Sequence, residues 1–127
     1  MPFDNKDDFE ESMKGFIAPL PNAGVIKNDK DEIVWNLPAY EFVAEKREGV
    51  PDTANPSLWR QLKLLQKAGL FKVVDGIYQV RSADLSNMTI IEGKTGLIII
   101  DPLLSKETAK QLLNCIMQIV LKKKSKL

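Results

Sequence analysis

The chain contains no histidine. Imidazole is the usual ligand of catalytic zinc and the usual general base near neutral pH. A histidine-based triad or zinc site therefore cannot be assembled from these 127 residues alone. A single cysteine, Cys115, excludes an internal disulfide and leaves the redox compartment open. Charge of one sign is also missing. With 18 basic against 17 acidic side chains the formal charge is +1, and no global field draws the chain to nucleic acid or to an anionic membrane. No apolar run approaches the roughly 18 residues of a membrane span. The opening residues, MPFDNKDDFEES, are acidic and polar, the opposite of a secretory signal. They fit a cytoplasmic product, or a periplasmic or secreted one whose signal lay in a lost upstream segment.

What is present is an ordinary globular composition, 44% hydrophobic and 28% charged, with room for one modest domain. Residues 1–25 read as an extended arm with a short acidic helix around Asp7–Lys14, before Pro19, Pro21 and Gly24 break periodicity. Between Ile26 and Thr53, KNDKDE reads as a turn, IVWNL as a short strand and AYEFVAE as a helical turn. A well-marked helix follows in NPSLWRQLKLLQKAG. Asn55 is placed to cap it and Pro56 takes the first helical position, where its missing N–H costs nothing. Leu58, Leu62 and Leu65 fall at i, i+4 and i+7 and define its apolar face, and Gly69 supplies the stop.

Two hairpins come next. LFKVVDGIYQVRS carries Asp75-Gly76, the pair favoured in type I′ turns. NMTIIEGKTGLIIID repeats the pattern, with Gly93 and Gly96 bracketing the turn. LIIID is apolar at consecutive positions and so predicts a strand covered on both faces. Pro102 ends it, and Ser105 can cap the helix KETAKQLLNCIMQIVLKKK, which closes in a lysine-rich tail. The order is arm, helix, two hairpins, helix: the opening of an α/β structure.

The residues that invite a chemical reading each have a structural one beside it. Asp101, at the end of an apolar strand, could ligate or act as a base, but turning the chain or capping the next helix suffices. Ala83-Asp84-Leu85-Ser86-Asn87 could line a pocket mouth or simply satisfy turn backbone. EGKTG lies between two strands and lacks phosphate-loop spacing. Trp59 and Arg60 could meet an apolar, anionic ligand, although packing plus a surface ion pair explains both. Cys115 has no imidazole partner to make it a thiolate. The terminal KKKSK is a solvated end. None of these makes an active site.

Three strings nevertheless resemble a known family: DFEESMKGFIAPLP; NPSLWRQ with GLFKVVDGIYQVR; and DLSNMTIIEGKTGLIIIDPLLSKETAK. From about Pro2 to Asn114 they are similar to the N-terminal region of the linear alkyl sulfatases, the dodecyl-sulfate hydrolases of the metallo-β-lactamase superfamily. The resemblance implies an αβ/βα sandwich of which this chain is the incomplete first part. It divides into an N-terminal arm (1–54), the start of the metallo-β-lactamase-like domain (55–114) and a tail (115–127). It also implies a homodimeric parent that hydrolyses alkyl sulfate esters at a two-zinc site, where metal-bound water or hydroxide acts on the sulfate ester. In the family that site begins with a His-x-His-x-Asp-His motif on the next strand. This sequence departs before the motif, so no catalytic, cofactor-binding or metal residue carries over.

The departure has a simple expected origin. One allowed back-translation from Asn114 onward, with a single T restored after that codon, reads NLYYANRPKKKVKA, the family-like continuation. The tail is therefore expected to be frameshifted. In the complete fold LIIID is covered by a second sheet and outer helices, and without them the chain is expected to be poorly stable alone. Three functions follow: a disrupted, inactive sulfatase fragment; a small binding module for a fatty chain or a protein; or half of a split enzyme completed by a downstream polypeptide carrying the metal site.

Overall fold

Runs of branched and aromatic side chains form strands, and Gly, Pro and Asn mark where they turn. The computed structural model describes residues 4–43 and 49–124, the last four of these for the backbone alone. The elements begin with α1 (Asp7–Met13), β1 (Phe16–Ala18), a 3₁₀ turn at Pro21–Gly24, β2 (Val25–Lys27) and β3 (Ile33–Asn36). A second 3₁₀ segment, Leu37–Val43, covers the described part of AYEFVAE; its last two residues lie outside the described residues. Then come α2 (Pro56–Leu65), β4 (Gly69–Val74), β5 (Ile77–Arg81), β6 (Met88–Glu92), β7 (Leu97–Ile100) and α3 (Lys106–Lys124).

The expected α/β class, hairpins and helices are all present, with one change of role. The segment read as an extended arm supplies the first strand of the main sheet, whose order is β1-β4-β5-β6-β7, antiparallel throughout. β2 and β3 pair separately, around a turn in which the Asn28 carboxamide oxygen accepts from Lys30 N and Glu32 N at 2.9 and 3.0 Å.

Directly opposed residues in an antiparallel pair share a face. Leu70, Val80 and Met88 form one cross-strand row, and Tyr78, Ile90 and Ile99 another, on the same side. α3 closes this side. Thr108, Leu112, Ile116 and Val120, spaced four apart, are its buried stripe, and the last three join Leu20, Ile26, Leu70, Val80, Met88 and Ile90 in the core. The helix runs unbroken across the 114/115 division, and Ile116 and Val120, in the segment read as a frameshifted tail, occupy core positions.

Three local expectations are corrected. The helix ends at Leu65, and Gly69 is the first residue of β4 rather than a helix stop. Its φ of +148° and the Ala18 carbonyl oxygen, 2.6 Å from where a Cβ would sit, show why glycine is needed: β1 crosses there at close range. The leucines expected to form the buried face of α2 are exposed, Leu58 at 65%, and Trp59 is buried in their place. That helix packs through its other side, against α1 and the 3₁₀ segment before it. Finally, the Asp75-Gly76 turn is not type I′, which needs positive φ at both residues. Only Gly76 has it, at 79°, and a register shift between Lys72 and Val74 supplies the twist instead.

Among the described residues, β7 lacks the cover on both faces that its apolar run calls for in the complete fold. It is an edge strand, with Ile98 at 58% and Ile100 at 53% exposure.

Candidate functional site

β5 and β7 both run antiparallel to β6, so their C-terminal ends meet at one rim of the sheet. Two loops build this rim, 82–87 after β5 and 101–105 after β7. Ser82, Asp101 and Leu103 there hold left-handed φ values of 57°, 52° and 74°. Non-glycine residues adopt that region at a cost of about 1–3 kcal/mol, so the surrounding structure must hold them.

The holding group is Asp84. Its side chain is buried, and its carboxylate accepts from Ser86 N at 2.8 Å, Leu104 N at 2.9 Å and Thr108 Oγ1 at 3.0 Å. The last two bonds join the loops to each other and to the first turn of α3. There Ser105 caps the helix as expected: its Oγ accepts from Thr108 N at 3.1 Å, and Thr108 Oγ1 accepts from Ser105 N at 3.2 Å. Asn87 Oδ1 accepts from Ser82 N at 3.3 Å, and the Ser82 hydroxyl donates to Leu65 O, tying the rim to the end of α2. The sequence placed Asp84 among loop-satisfying residues. Its link to Thr108 of α3 across 24 residues carried no sequence signal.

Beside the rim lies a hollow of about 180 Å³ lined by Trp35, Tyr40, Leu62, Leu65 and Leu85 among others, with the Trp35 and Tyr40 rings stacked at 5.9 Å. This is below the roughly 300–1,000 Å³ of a small-molecule pocket. The rim is a wall without an opposite side.

The other candidates resolve structurally. Asp101 is exposed and turns the chain away from β7 through its left-handed φ. Lys94 sits in the turn between β6 and β7, closed by Gly93 N donating to Gly96 O at 2.8 Å. Arg60 pairs with Asp8 at 2.8 Å, donates to Asn5 O at 2.9 Å and lies 5.3 Å from the Phe9 ring centre. Trp59 packs beside Phe42, ring centres 6.4 Å apart. Cys115 is a half-buried free thiol. Of KKKSK, only the backbone of the three lysines lies within the described residues. Arg81, half-buried over the Phe71 ring at 4.3 Å, has its pKa lowered by desolvation.

Among the described residues no group of three or more Cys, Asp or Glu side chains stands close enough to hold a metal, and no residue of the chain is a histidine. These side chains do not fit the zinc that the resemblance implies. The rim positions two loops against the first turn of α3.

No family model matches the chain. Individual proteins do. It is 57% identical to a linear primary-alkylsulfatase of Pseudomonas sp. over 114 residues, which is 90% of this chain and 17% of that protein. It is 46% identical to an (R)-specific secondary-alkylsulfatase of Pseudomonas sp., over 93% of this chain and 17% of the relative. An alkyl/aryl-sulfatase of Saccharomyces cerevisiae is 47% identical over 87% of the chain, again 17% of its own length. The solved structure of a stereoselective inverting sec-alkylsulfatase from Pseudomonas sp. superposes with a TM-score of 0.82 at 46% identity, covering 93% of this chain and 18% of that one.

The sheet with its covering helix is thus a segment of the metallo-β-lactamase fold. Within that class the chain belongs to the alkylsulfatase family, as a fragment spanning about a sixth of the length of the relatives it matches.

Proposed function

We propose that the whole protein of which this sequence is a segment hydrolyses alkyl sulfate esters, and that the 127-residue chain does not do so alone. The observation that carries the first half is 57% identity, over 90% of this chain, to a linear primary-alkylsulfatase. The second half rests on the donor set. Zinc in such a site would polarise the sulfate ester and its bound water, and the ligands for it must come from polypeptide beyond these strands. What this chain contributes is scaffold: the first sheet, its covering helix and the rim held by Asp84.

Two measurements test the reading. A chimera of the Pseudomonas primary-alkylsulfatase, with this chain's residues replacing the matched segment, should release sulfate from dodecyl sulfate within about tenfold of the parent rate. The isolated chain with added zinc should release none above background. A folded but inactive chimera would sink the family-level activity, and turnover by the isolated chain would sink the scaffold role.

A further inference from the structure

α1 and the residues before it pack against α2, and a cavity of about 440 Å³ lies between them. That is large enough for a small molecule, unlike the hollow beside the rim, with which it shares no lining residue. Phe9, Pro56 and Trp59 give it an apolar wall, and Lys6, Arg60 and Lys63 supply positive charge. Among the described residues these three cations face one lining carboxylate, Asp4. Counting Asp8 beside Arg60, the balance of these groups stays positive. An apolar wall with a few convergent polar groups is the usual make-up of a ligand site.

The Arg60 side chain is only 12% exposed. It is held by Asp8 Oδ2 at 2.8 Å, by Asn5 O at 2.9 Å and by the Phe9 ring, whose centre is 5.3 Å away. Both polar contacts are made by Nη2, and Nη1 takes no part in either. A guanidinium carries five N–H donors. Nε is buried with no acceptor among the described residues, and a buried donor without a partner calls for an explanation. The ion pair with Asp8 accounts for one end of the group and leaves the other unused. Arg60 is therefore fixed in place but only part-satisfied, at the edge of a cavity with an aromatic wall. Holding it in advance lowers the cost of binding, and its planar fork matches the oxygens of a carboxylate or a sulfate.

We propose that this cavity binds a small amphiphilic anion, its oxyanion head against Arg60 and Lys6 and its short apolar tail against Phe9 and Trp59. An occupant would join the N-terminal arm to α2 and stabilise that pair of helices. The inference is independent of the proposed hydrolysis, because occupancy is read without turnover.

The test titrates sodium hexyl sulfate and sodium hexanoate, well below micelle formation, into the isotope-labelled chain and into its Ile98→Lys variant, which carries a charge on the exposed β7 patch. Both anions are expected to shift the Trp59 indole and Arg60 Nε–H resonances saturably. Hexanol, a tail without a head, and inorganic sulfate, a head without a tail, should each bind about tenfold more weakly or worse. Arg60→Lys keeps the charge but removes the fork, and should weaken both anions about tenfold. Because that change also releases Asp8, the exposed Lys6→Glu gives a second reading: binding about threefold weaker or more, with the β4–β7 resonances unmoved. Lys30→Asp, on the β2–β3 turn, should change nothing. Hexanol binding as tightly as the anions reduces the cavity to apolar adsorption and overturns the proposal. So do saturable shifts that survive both Arg60→Lys and Lys6→Glu, shifts confined to β7 and lost with Ile98→Lys, or no shift at Trp59. The tighter of the two anions identifies the head, sulfate ester or carboxylate, and either answer upholds the site.

Discussion

A buried carboxylate that serves several donors strands those that have no second acceptor when it is removed. Asp84→Ala would strip Ser86 N and Leu104 N of their acceptor in a place with little water, while the Thr108 hydroxyl can still donate to Ser105 O at 2.9 Å. Unsatisfied buried donors cost about 1–3 kcal/mol each, partly recovered by relaxation. The expected loss is about 2–3 kcal/mol, read from the shift of the urea midpoint, with Asp84→Asn losing less because one oxygen acceptor remains. An unchanged midpoint in the alanine variant would show that the two rim loops stand without this link. Gly69 offers a second test of the same scale. A Cβ there would lie 2.6 Å from Ala18 O and 2.7 Å from the Phe16 ring. Gly69→Ala should cost about 2 kcal/mol or more through strain and displacement of β1. Gly76→Ala meets nothing within 4 Å and should cost only the left-handed backbone penalty, about 1 kcal/mol.

The elements show how legible this chain was. Asn55 does cap α2, accepting from Ser57 N at 2.9 Å, and Ser105 caps α3. The hairpins fall where Asp75-Gly76 and Gly93–Gly96 placed them. Caps and turns are local chemistry, so sequence carries them. The buried side of α2 was not legible, because the choice between Trp59 and the Leu58 stripe depends on what packs against the helix, and contact across layers has no local signature. The same holds for β7, whose apolar pattern predicts two covered faces whether or not the covering chain is present. The first hairpin also has a pH signature. The Asp75 carboxylate pairs with Lys72, which lowers the Asp75 pKa below 3.8 and raises that of Lys72 above 10.5, in both cases chiefly through their hydrogen bond. A depressed carboxylate stabilises above its unfolded pKa and loses that effect as pH falls through the folded value. A raised ammonium stabilises below its unfolded pKa and loses the effect as pH rises through the folded value. The pair is therefore fully effective between these limits. Asp75→Asn should lower the urea midpoint slightly at pH 7, and the difference should vanish as pH falls well below 3.8. Both groups are exposed, so the effect should also shrink in high salt.

For the molecule as a whole, the decisive quantity is apolar area left in water. Covering one isoleucine side chain is worth about 1.5–3 kcal/mol, and a folded domain holds only about 5–15 kcal/mol in reserve. Ile98 and Ile100 contribute little of that gain here, each being more than half exposed. The isolated chain should therefore melt in a broad transition whose midpoint falls, and whose aggregation rises, with protein concentration. A sharp, concentration-independent transition of a monomer would contradict this. Substitutions can separate lost stability from exposed surface. Ile90 is 1% exposed within the core beneath α3, so Ile90→Ala should destabilise by about 2–5 kcal/mol. Ile98→Lys removes side-chain area that is already mostly in water and places a charge on an open edge. Its cost should stay within about 0.5 kcal/mol, and turbidity on heating should fall. If Ile98→Lys instead lowered stability as far as Ile90→Ala, the outer face of β7 would have to be covered in solution, by a second copy of the chain or by some other layer. The open face would then be absent from the free protein, and the argument from unfilled apolar surface would fail with it.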